Sequence, residues 1–195
     1  QKLKEETYKD GEEDGLNTIW FENGQKEWEE TYKDGEEDGL STHWYENGKK
    51  RQEVTYKDGE EDGLSTHWYE NGQKQLERTY KDGIQIGKYE NWLDDGTKKW
   101  EYYFNDDGTR DSTKLTTRWY KSGQKWYEGY IKTLNETDNV WIGLKTEWYE
   151  NGQKEKEQTY KDGEAIVRTE WMYFTTGEML SEITYKDGEL ISSEC

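Results

Sequence analysis

Proline is absent from this chain of 195 residues, and cysteine occurs once, at Cys195. The lack of proline excludes proline-rich linkers. A single cysteine excludes an internal disulfide framework and a cysteine-based zinc site. Leucine, isoleucine, valine and phenylalanine together number only 25 residues, and no apolar run approaches the roughly 18 residues of a membrane-spanning helix. With a mean hydropathy of −1.47, composition alone would predict disorder.

Basic residues are also scarce, because 27 Lys and Arg stand against 45 Asp and Glu, which gives a formal net charge of −18. Nucleic acids and anionic membranes both attract positive protein surfaces, so neither is an expected partner. What the chain does contain is 11 Trp and 16 Tyr, each able to bury about 150–250 Å². The apolar side of the fold must therefore be aromatic.

One short word returns along the chain. WYENGQK occupies residues 68–74 and 148–154, and close variants occupy 20–26 and 44–50. A second word, YKDG, begins at Tyr8, Tyr32, Tyr56, Tyr80, Tyr160 and Tyr185. The two words alternate, so the repeat is about 24 residues long. A catalytic site is normally built once, so this repetition indicates structural material.

Asn-Gly and Asp-Gly pairs are strong hairpin signals, since glycine accepts the backbone conformation that such turns need. We expect ENG and KDG each to form a type I turn followed by a glycine bulge. The predicted fold is all-β, a long antiparallel meander of repeated β-hairpins in a curled or spiral single sheet. The first turns are predicted at Asn23-Gly24, Asp34-Gly35, Asn47-Gly48, Asp58-Gly59, Asn71-Gly72 and Asp82-Gly83.

These turns predict how the strands pair. Tyr45 would lie opposite Lys49, and Tyr56 opposite Glu60, so equivalent residues would slip by one position per strand. One face would be aromatic and aliphatic, formed by Leu40, Trp44, Val54, Tyr56, Leu64, Trp68, Leu76 and Tyr80. The slip is the reason for expecting the sheet to curl. The repeat tryptophans are predicted to be buried and structural: Trp20, Trp44, Trp68, Trp148 and Trp171.

We interpret residues 1–195 as a single array with regular repeats at 1–96 and 144–195. Residues 97–143 are degenerate repeats with an insertion around TLNETDN, residues 133–139. Insertions in repeat proteins often map to a binding side, although drift without function explains them equally well. The candidate partner-binding residues are Trp92, Trp100, Trp119, Trp126, Trp141, Tyr45, Tyr69 and Tyr149.

Catalytic and metal-binding patterns are weak. His43 and His67 occupy the same place in successive repeats, but the predicted register separates them by about 11–12 Å, too far for one metal ion. We therefore interpret them as exposed repeat histidines. KDGEEDG at 33–39 and 57–63 lacks the ligand spacing of a calcium loop. No nucleophile motif or phosphate loop is present, so no catalytic residue, metal or cofactor is predicted.

The block WYENGQKxxExTYKDGxxxG at 68–87, with relatives at 20–39, 44–63 and 148–163, resembles the bacterial MORN-2 repeat. That resemblance implies binding of a macromolecule and supplies no catalytic residues. Proteins similar to this are often labelled antitoxins of toxin–antitoxin systems, and many are exported or surface-associated. The chain also resembles choline-binding cell-wall repeats, whose aromatic cages hold a quaternary ammonium. Their period is nearer 20 residues, so MORN-2 fits better.

Two functions follow. The first is a non-enzymatic β-hairpin repeat scaffold that binds a protein or an envelope macromolecule, and whose edge strands could also pair with a second copy. The alternative is a carbohydrate- or choline-type module of the cell envelope that uses exposed aromatics. An exported or cell-surface location is slightly favoured over the cytoplasm.

Overall fold

The computed structural model describes residues 3–135 and 138–194. Cys195 and the middle of the predicted insertion therefore lie outside the described residues. Throughout the described ranges the chain forms 19 β-strands and no helix, and almost every strand pairs antiparallel with its neighbours along the chain. The predicted all-β hairpin meander is confirmed. No helix long and apolar enough to span a membrane occurs in these ranges.

Two compact units divide the chain. The first comprises residues 1–96 and 104–108, and the second comprises 97–103 and 109–195. Strands of the first unit are β1 (Lys4–Glu5), β2 (Tyr8–Lys9), β3 (Glu12–Glu13), β4 (Gly15–Trp20), β5 (Lys26–Lys33), β6 (Glu36–Glu37), β7 (Gly39–Trp44), β8 (Lys50–Lys57), β9 (Glu60–Trp68), β10 (Lys74–Lys81) and β11 (Ile84–Trp92). The later strands are β12 (Lys98–Phe104), β13 (Thr116–Trp119), β14 (Lys125–Thr133), β15 (Asn139–Trp148), β16 (Lys154–Lys161), β17 (Glu164–Tyr173), β18 (Met179–Lys186) and β19 (Glu189–Glu194).

The two repeated words form different turns. In the ENG turn, the N–H of Gly48 donates to the Tyr45 carbonyl and the N–H of Tyr45 donates to the Lys49 carbonyl, both at 2.9 Å. This is the predicted type I turn with a glycine bulge. In the KDG turn, Asp34 and Gly35 have φ values of 49° and 83°. Two successive positive φ values define a two-residue type I′ turn, so the prediction is wrong for KDG.

The same geometry recurs at every KDG turn, since the non-glycine residues described with positive φ are all aspartates of this word: Asp10, Asp34, Asp58, Asp82, Asp162 and Asp187. Aspartate tolerates this conformation better than most residues, because its short side chain can bond locally. The consequence for pairing is direct. Lys57 lies opposite Glu60 and Tyr56 opposite Glu61, one position away from the predicted pairing.

Two β-bulges per repeat cancel the predicted slip. Beside the ENG turn, Trp44 pairs with Lys50 but His43 pairs with Gln52, so one residue of β8 is extra. On the other side of β8, Val54 pairs with Ser65 but Tyr56 pairs with Glu61, so two residues of β9 are extra, and Gln52 pairs with His67. His43 and His67 therefore share one partner and lie in one row, two strands or about 9–10 Å apart. The predicted slip of one residue per strand is wrong.

The bulges also change which residues share a face. Ser41 pairs with Val54, whereas its neighbour Thr42 pairs with Glu53, and paired residues point to the same side. The tryptophan face thus carries Leu40, Thr42, Trp44 and their equivalents. The tyrosine face carries Ser41, His43, Val54, Tyr56 and their equivalents. The predicted grouping is corrected here: Val54, Tyr56, Leu76 and Tyr80 lie on the tyrosine face, opposite Leu40, Trp44, Leu64 and Trp68.

Small polar residues occupy the most buried positions. Val54 is the one buried hydrophobic residue among those described, with 1% of its surface exposed. The buried polar residues are one asparagine and nine serines or threonines: Asn17, Thr18, Ser41, Thr42, Ser65, Thr66, Thr116, Thr117, Thr146 and Ser181. The repeat tryptophans have intermediate burial. In a single sheet, large side chains of adjacent rows cover the small ones between them.

The type I′ turns predict a selective sensitivity to alanine. Asp58→Ala places alanine at a φ of 48°, where its side chain cannot form the local hydrogen bonds open to aspartate. We therefore expect the free energy of unfolding to fall by about 1–2 kcal/mol. Asp58→Gly should cost much less, because glycine adopts positive φ freely. The matched control is Glu46→Ala in the neighbouring ENG turn. Urea unfolding measures all three, and an equal loss for Asp58→Ala and Glu46→Ala would contradict the turn assignment.

Candidate interaction site

Side chains of the repeated word WYENGQK contact the following repeat, and we call these contacts between successive repeats ties. Lys26 of one repeat lies 5.6 Å from the ring centroid of Trp44 in the next and pairs with Glu29 of its own strand. Five further lysines lie 5.4–5.9 Å from the following tryptophan, in the pairs Lys50–Trp68, Lys74–Trp92, Lys98–Trp119, Lys125–Trp148 and Lys154–Trp171. Each cation–π contact at an exposed site is worth about 0.5–1 kcal/mol.

Tyrosine and asparagine of the word make the second tie. The Tyr45 hydroxyl donates to the Trp68 carbonyl at 2.7 Å, and the Tyr69 hydroxyl donates to the Trp92 carbonyl at 2.9 Å. Asn47 Nδ2 donates to the Glu70 carbonyl at 3.0 Å. The Tyr149 hydroxyl donates to the Trp171 carbonyl at 3.4 Å, two residues before Tyr173, which occupies the position of the repeat tryptophan in that turn. These three tyrosines, proposed as partner-binding from the sequence, therefore have intramolecular hydrogen-bond partners.

The central tryptophans separate into two environments. Trp92 and Trp119 each receive a lysine from the preceding repeat, so they share the surroundings of Trp44, Trp68 and Trp148. Trp100, Trp126 and Trp141 have different surroundings and lie within the second unit. The structure brings these three together with residues that the sequence analysis did not select.

We call Trp100, Arg118, Trp126, Tyr127 and Trp141 the aromatic–arginine cluster. The Arg118 guanidinium carbon lies 4.2 Å from the Trp100 ring centroid and 4.1 Å from that of Trp126, so the cation is held between two indoles. The Tyr127 ring meets those of Trp100, Trp126 and Trp141 at centroid distances of 6.1, 5.8 and 5.5 Å. All five side chains have intermediate burial.

Strand register explains why the cluster forms. Trp100 pairs with Arg118, and Arg118 pairs with Tyr127, so three members follow one another in a single row. Trp126 is the extra residue of the bulge, because Trp119 pairs with Lys125 while Arg118 pairs with Tyr127. In the first unit the equivalent row consists of Ile19, Trp28, His43, Gln52, His67 and Leu76. Only the second unit concentrates aromatic rings around a cation there.

Trp141 reaches the cluster through a glycine. Gly129 is buried and has no positive φ, yet a Cβ on it would lie 3.0 Å from Trp141 Cζ3 and 3.1 Å from Lys145 Cβ. The Lys145 ammonium lies 4.7 Å from the Trp141 ring and 5.1 Å from the Tyr127 ring, and pairs with Glu147 at 2.7 Å. Burial raises the pKa of the Tyr127 phenol, partly offset by Arg118.

Arg118 and Tyr127 are not among the residues predicted from the sequence, because those were the central tryptophans and the tyrosines of the repeated word. Aligning TTRWYKSGQK with STHWYENGQK places Arg118 at the position of His43 and His67. The residue before the repeat tryptophan is thus variable while its flanks are constant. A variable position between constant neighbours indicates that the side chains of this row can differ from one repeat to the next.

The first unit has a polar network on the same face. His43 Nε2 lies 3.3 Å from Glu30 Oε1, and the Tyr32 hydroxyl donates to Glu30 Oε2 at 2.9 Å. The bond from His43 and those from Tyr32 and Ser41 outweigh burial and lower the pKa of Glu30. His43 and His67 have intermediate burial, so the interpretation as exposed histidines is wrong. Among the described residues, no group of three or more ligands could hold a metal ion.

Three segments of the chain, residues 37–58, 61–82 and 142–162, match the family model of the MORN repeat variant. Together they cover about a third of the sequence, and each includes one copy of the first repeated word and the YKD of the second. Repeats of this class are generally non-catalytic and associated with the binding of proteins or membrane lipids. No curated protein matches the chain. Bacterial origin and the antitoxin label stay predictions.

Gly129→Ala tests the packing of the cluster. The added Cβ would overlap Trp141 and Lys145, so we expect a loss of about 1–3 kcal/mol in the free energy of unfolding and a shift in tryptophan emission. Trp141→Leu should remove part of that overlap. In a double-mutant cycle by urea unfolding, the two changes together should therefore cost less than the sum of their separate losses. Strict additivity would contradict the close approach of Gly129 and Trp141.

His67 predicts a pH dependence of stability. Burial, followed by Arg78 and Arg51, lowers the pKa of His67 from its ordinary 6.5. Below that pH the unfolded chain binds a proton that the folded chain resists, so the free energy of unfolding falls as the solution is acidified. His67→Asn, which introduces the residue found at Asn91, should flatten the decline between pH 7 and 5.

The matched control for this prediction is His43→Asn, one repeat earlier in the same row. Unfolding by urea at several pH values measures both variants against the parent chain. Equal slopes for His67→Asn and the parent would contradict the assigned direction of the pKa shift.

Proposed function

We propose that this protein is a non-enzymatic β-hairpin repeat scaffold that binds another protein through the tyrosine face of its second unit. The aromatic–arginine cluster carries the proposal. Trp, Tyr and Arg are the residues that most often dominate the energy of protein interfaces, especially where they are grouped and supported by packing. Here two indoles hold a guanidinium at 4.1 and 4.2 Å, and Tyr127 supports them.

The scaffold itself does not require this cluster. The ties between repeats are made by the lysine, tyrosine and asparagine of the repeated word, and they recur at the ordinary repeats. Trp100, Trp126 and Trp141 make none of those ties themselves, although Trp126 stacks at 5.5 Å on Tyr120, whose hydroxyl donates to the Trp148 carbonyl. Rings that make no tie themselves are candidates for contact with a partner.

We extend the proposal to the whole array. Residues 1–195 form a single series of these repeats, of the bacterial kind often labelled as antitoxins, with Trp20, Trp44, Trp68, Trp148 and Trp171 as structural aromatics. The three matched segments and the shared turn geometry of the intervening words support this extension. The partner surface should be basic, because the chain carries a net charge of −18.

The choline- or carbohydrate-type alternative has less support at this place. A cage for a quaternary ammonium needs open aromatic faces. The faces of Trp100 and Trp126 are occupied by Arg118, and Lys145 lies over Trp141 and Tyr127. A ligand cation would have to displace cations that the chain itself supplies, which favours a protein partner.

The test begins with affinity capture of a partner from the native host, with and without EDTA, and continues with the purified pair. Trp126→Leu should weaken binding at least tenfold, which is about 1.4 kcal/mol. Trp28→Leu is the matched control, since Trp28 stacks on His43 at 6.5 Å in the first unit and lies outside the cluster. Association should also slow as salt rises.

Several outcomes would contradict this function. They are capture of a partner only when a divalent metal is present, turnover of a small substrate, and equal losses for Trp126→Leu and Trp28→Leu. Saturable quenching of tryptophan fluorescence by choline or a glycan would favour the alternative instead.

A further inference from the structure

We propose that Ser65, His67 and Arg78 form a carboxylate-binding site on the tyrosine face of the first unit, where β9 and β10 run side by side. The site shares no residue with the aromatic–arginine cluster, so it does not rest on the proposed function. Two independent observations carry it. Three neighbouring buried atoms have no hydrogen-bond partner, and a carboxylate of the chain itself fills the equivalent place one repeat earlier.

The earlier repeat shows which group fits this place. The Ser41 hydroxyl donates to Glu30 Oε1 at 3.4 Å, and His43 Nε2 lies 3.3 Å from the same oxygen. The Tyr32 hydroxyl donates to Glu30 Oε2 at 2.9 Å. Side chains of the tyrosine face therefore converge on one carboxylate that the chain supplies.

The next repeat keeps the serine and the histidine but has no acceptor. The counterparts lie 24 residues further along the chain: Ser65 for Ser41, His67 for His43 and Val54 for Glu30. Val54 pairs with Ser65, so it occupies the position from which a glutamate could reach the hydroxyl. A valine side chain has no oxygen, and the bonds made to Glu30 therefore have no equivalent here.

Three buried atoms are left without a bond as a result. Ser65 Oγ and His67 Nε2 have no hydrogen-bond partner among the described residues, although the same two atoms one repeat earlier both contact a carboxylate. Arg78 pairs with Ser65 from the other side, and its Nε has no partner in the described ranges either. Ser65 is 0% exposed. Buried polar groups are nearly always bonded, so three neighbouring exceptions indicate a missing acceptor.

The charge around these atoms favours an anion. Burial lowers the pKa of His67. The charged groups that lower it further are all basic: Arg78, Arg51 and His43. Glu61, the carboxylate of β9 on this face, lies at the opposite end of that strand from His67. A ligand carboxylate accepts charge-assisted hydrogen bonds from such donors and offsets the guanidinium charge, which a water molecule does not.

A ligand approaches this site from the solvent side of the sheet, because the His67 and Arg78 side chains are only half-buried. Three kinds of ligand carry the required group: a small carboxylic acid, the C-terminus of a peptide, and an acidic side chain of a protein. Their shared chemistry is one carboxylate, and the experiment separates the three sources.

The test follows the two imidazoles of the full chain by NMR while sodium acetate replaces sodium chloride at constant ionic strength. A carboxylate beside an imidazole favours its protonated form, so acetate should raise the pKa of His67 in a saturable manner. His43 is the internal control. Glu30 already contacts it, so its titration should not respond to acetate.

Substitutions at the site separate binding from folding. Arg78→Gln and Ser65→Ala should each weaken acetate binding by about tenfold, the loss expected when a hydrogen bond to a charged group is removed. Ser41→Ala, the same change one repeat earlier, should leave acetate binding unchanged. Because the Ser65 hydroxyl has no partner, Ser65→Ala should not lower the free energy of unfolding measured in urea.

Val54→Glu supplies the carboxylate from the chain itself, as Glu30 does one repeat earlier. This variant should raise the pKa of His67 without acetate and should abolish the response to acetate. Val54 is buried, so Arg78→Gln and Ser65→Ala decide the question where Val54→Glu does not fold.

Blocked peptides identify the source of the carboxylate. N-acetylated trialanine carries only a C-terminal carboxylate, and Ala-Glu-Ala blocked at both ends carries only that of a side chain. The probe that shifts His67 at the lowest concentration, acetate included, indicates the class of ligand. An equal response to chloride would mean general ionic screening, and no response to any of the three probes would mean that water fills the site. Either result overturns the proposal. Trp126→Leu should leave the acetate response unchanged, so failure here and failure of the proposed function are distinguishable.

Discussion

The repeat register is the constraint on which the other features depend. A lysine can reach the tryptophan of the following repeat, and a tyrosine its backbone carbonyl, only if equivalent residues lie side by side across two strands. The type I′ turn and the two bulges on either side of β8 produce this alignment, so that His43 and His67 both face Gln52. Without the bulge between β7 and β8, the ties between repeats would be offset by one residue and would point to the wrong face. Without the irregularity between β8 and β9, they would be offset by two residues.

This alignment compensates for an almost complete lack of aliphatic core. Val54 is the buried hydrophobic residue among those described, so burial of the usual kind contributes little. The lysine instead contacts an indole of the next repeat and a glutamate of its own strand, as Lys26 contacts Trp44 and Glu29. Each contact alone is worth about 1 kcal/mol or less. Repetition along a one-dimensional array adds such terms between neighbours, which explains why a strongly acidic chain can still fold.

The positions of the hairpins could be predicted from the sequence, but the order of side chains across them could not. Asn47-Gly48 and Asp58-Gly59 both predict a turn, and the structure has a turn at each. Their types differ because Asp58 itself takes a positive φ, a choice that the dipeptide does not encode unambiguously. The difference of one residue in loop length places Tyr56 opposite Glu61 instead of Glu60. The bulge beside the ENG turn, which the sequence also does not show, moves Val54 and Tyr56 away from the face of Leu40 and Trp44. Face assignments are therefore less predictable than turn positions, since each depends on counting every bulge correctly.

The same reasoning shows how one scaffold can carry different surfaces. The tryptophan at each repeat is held by its lysine and by the carbonyl bond from the preceding tyrosine, so substitutions there disturb the stacking. The residue immediately before it points to the other face and makes none of these ties. It is histidine at His43 and His67, arginine at Arg118 and glutamate at Glu147. A recognition surface can therefore change at this row, as it does where Arg118 lies between Trp100 and Trp126, while the interactions that hold the repeats together stay the same.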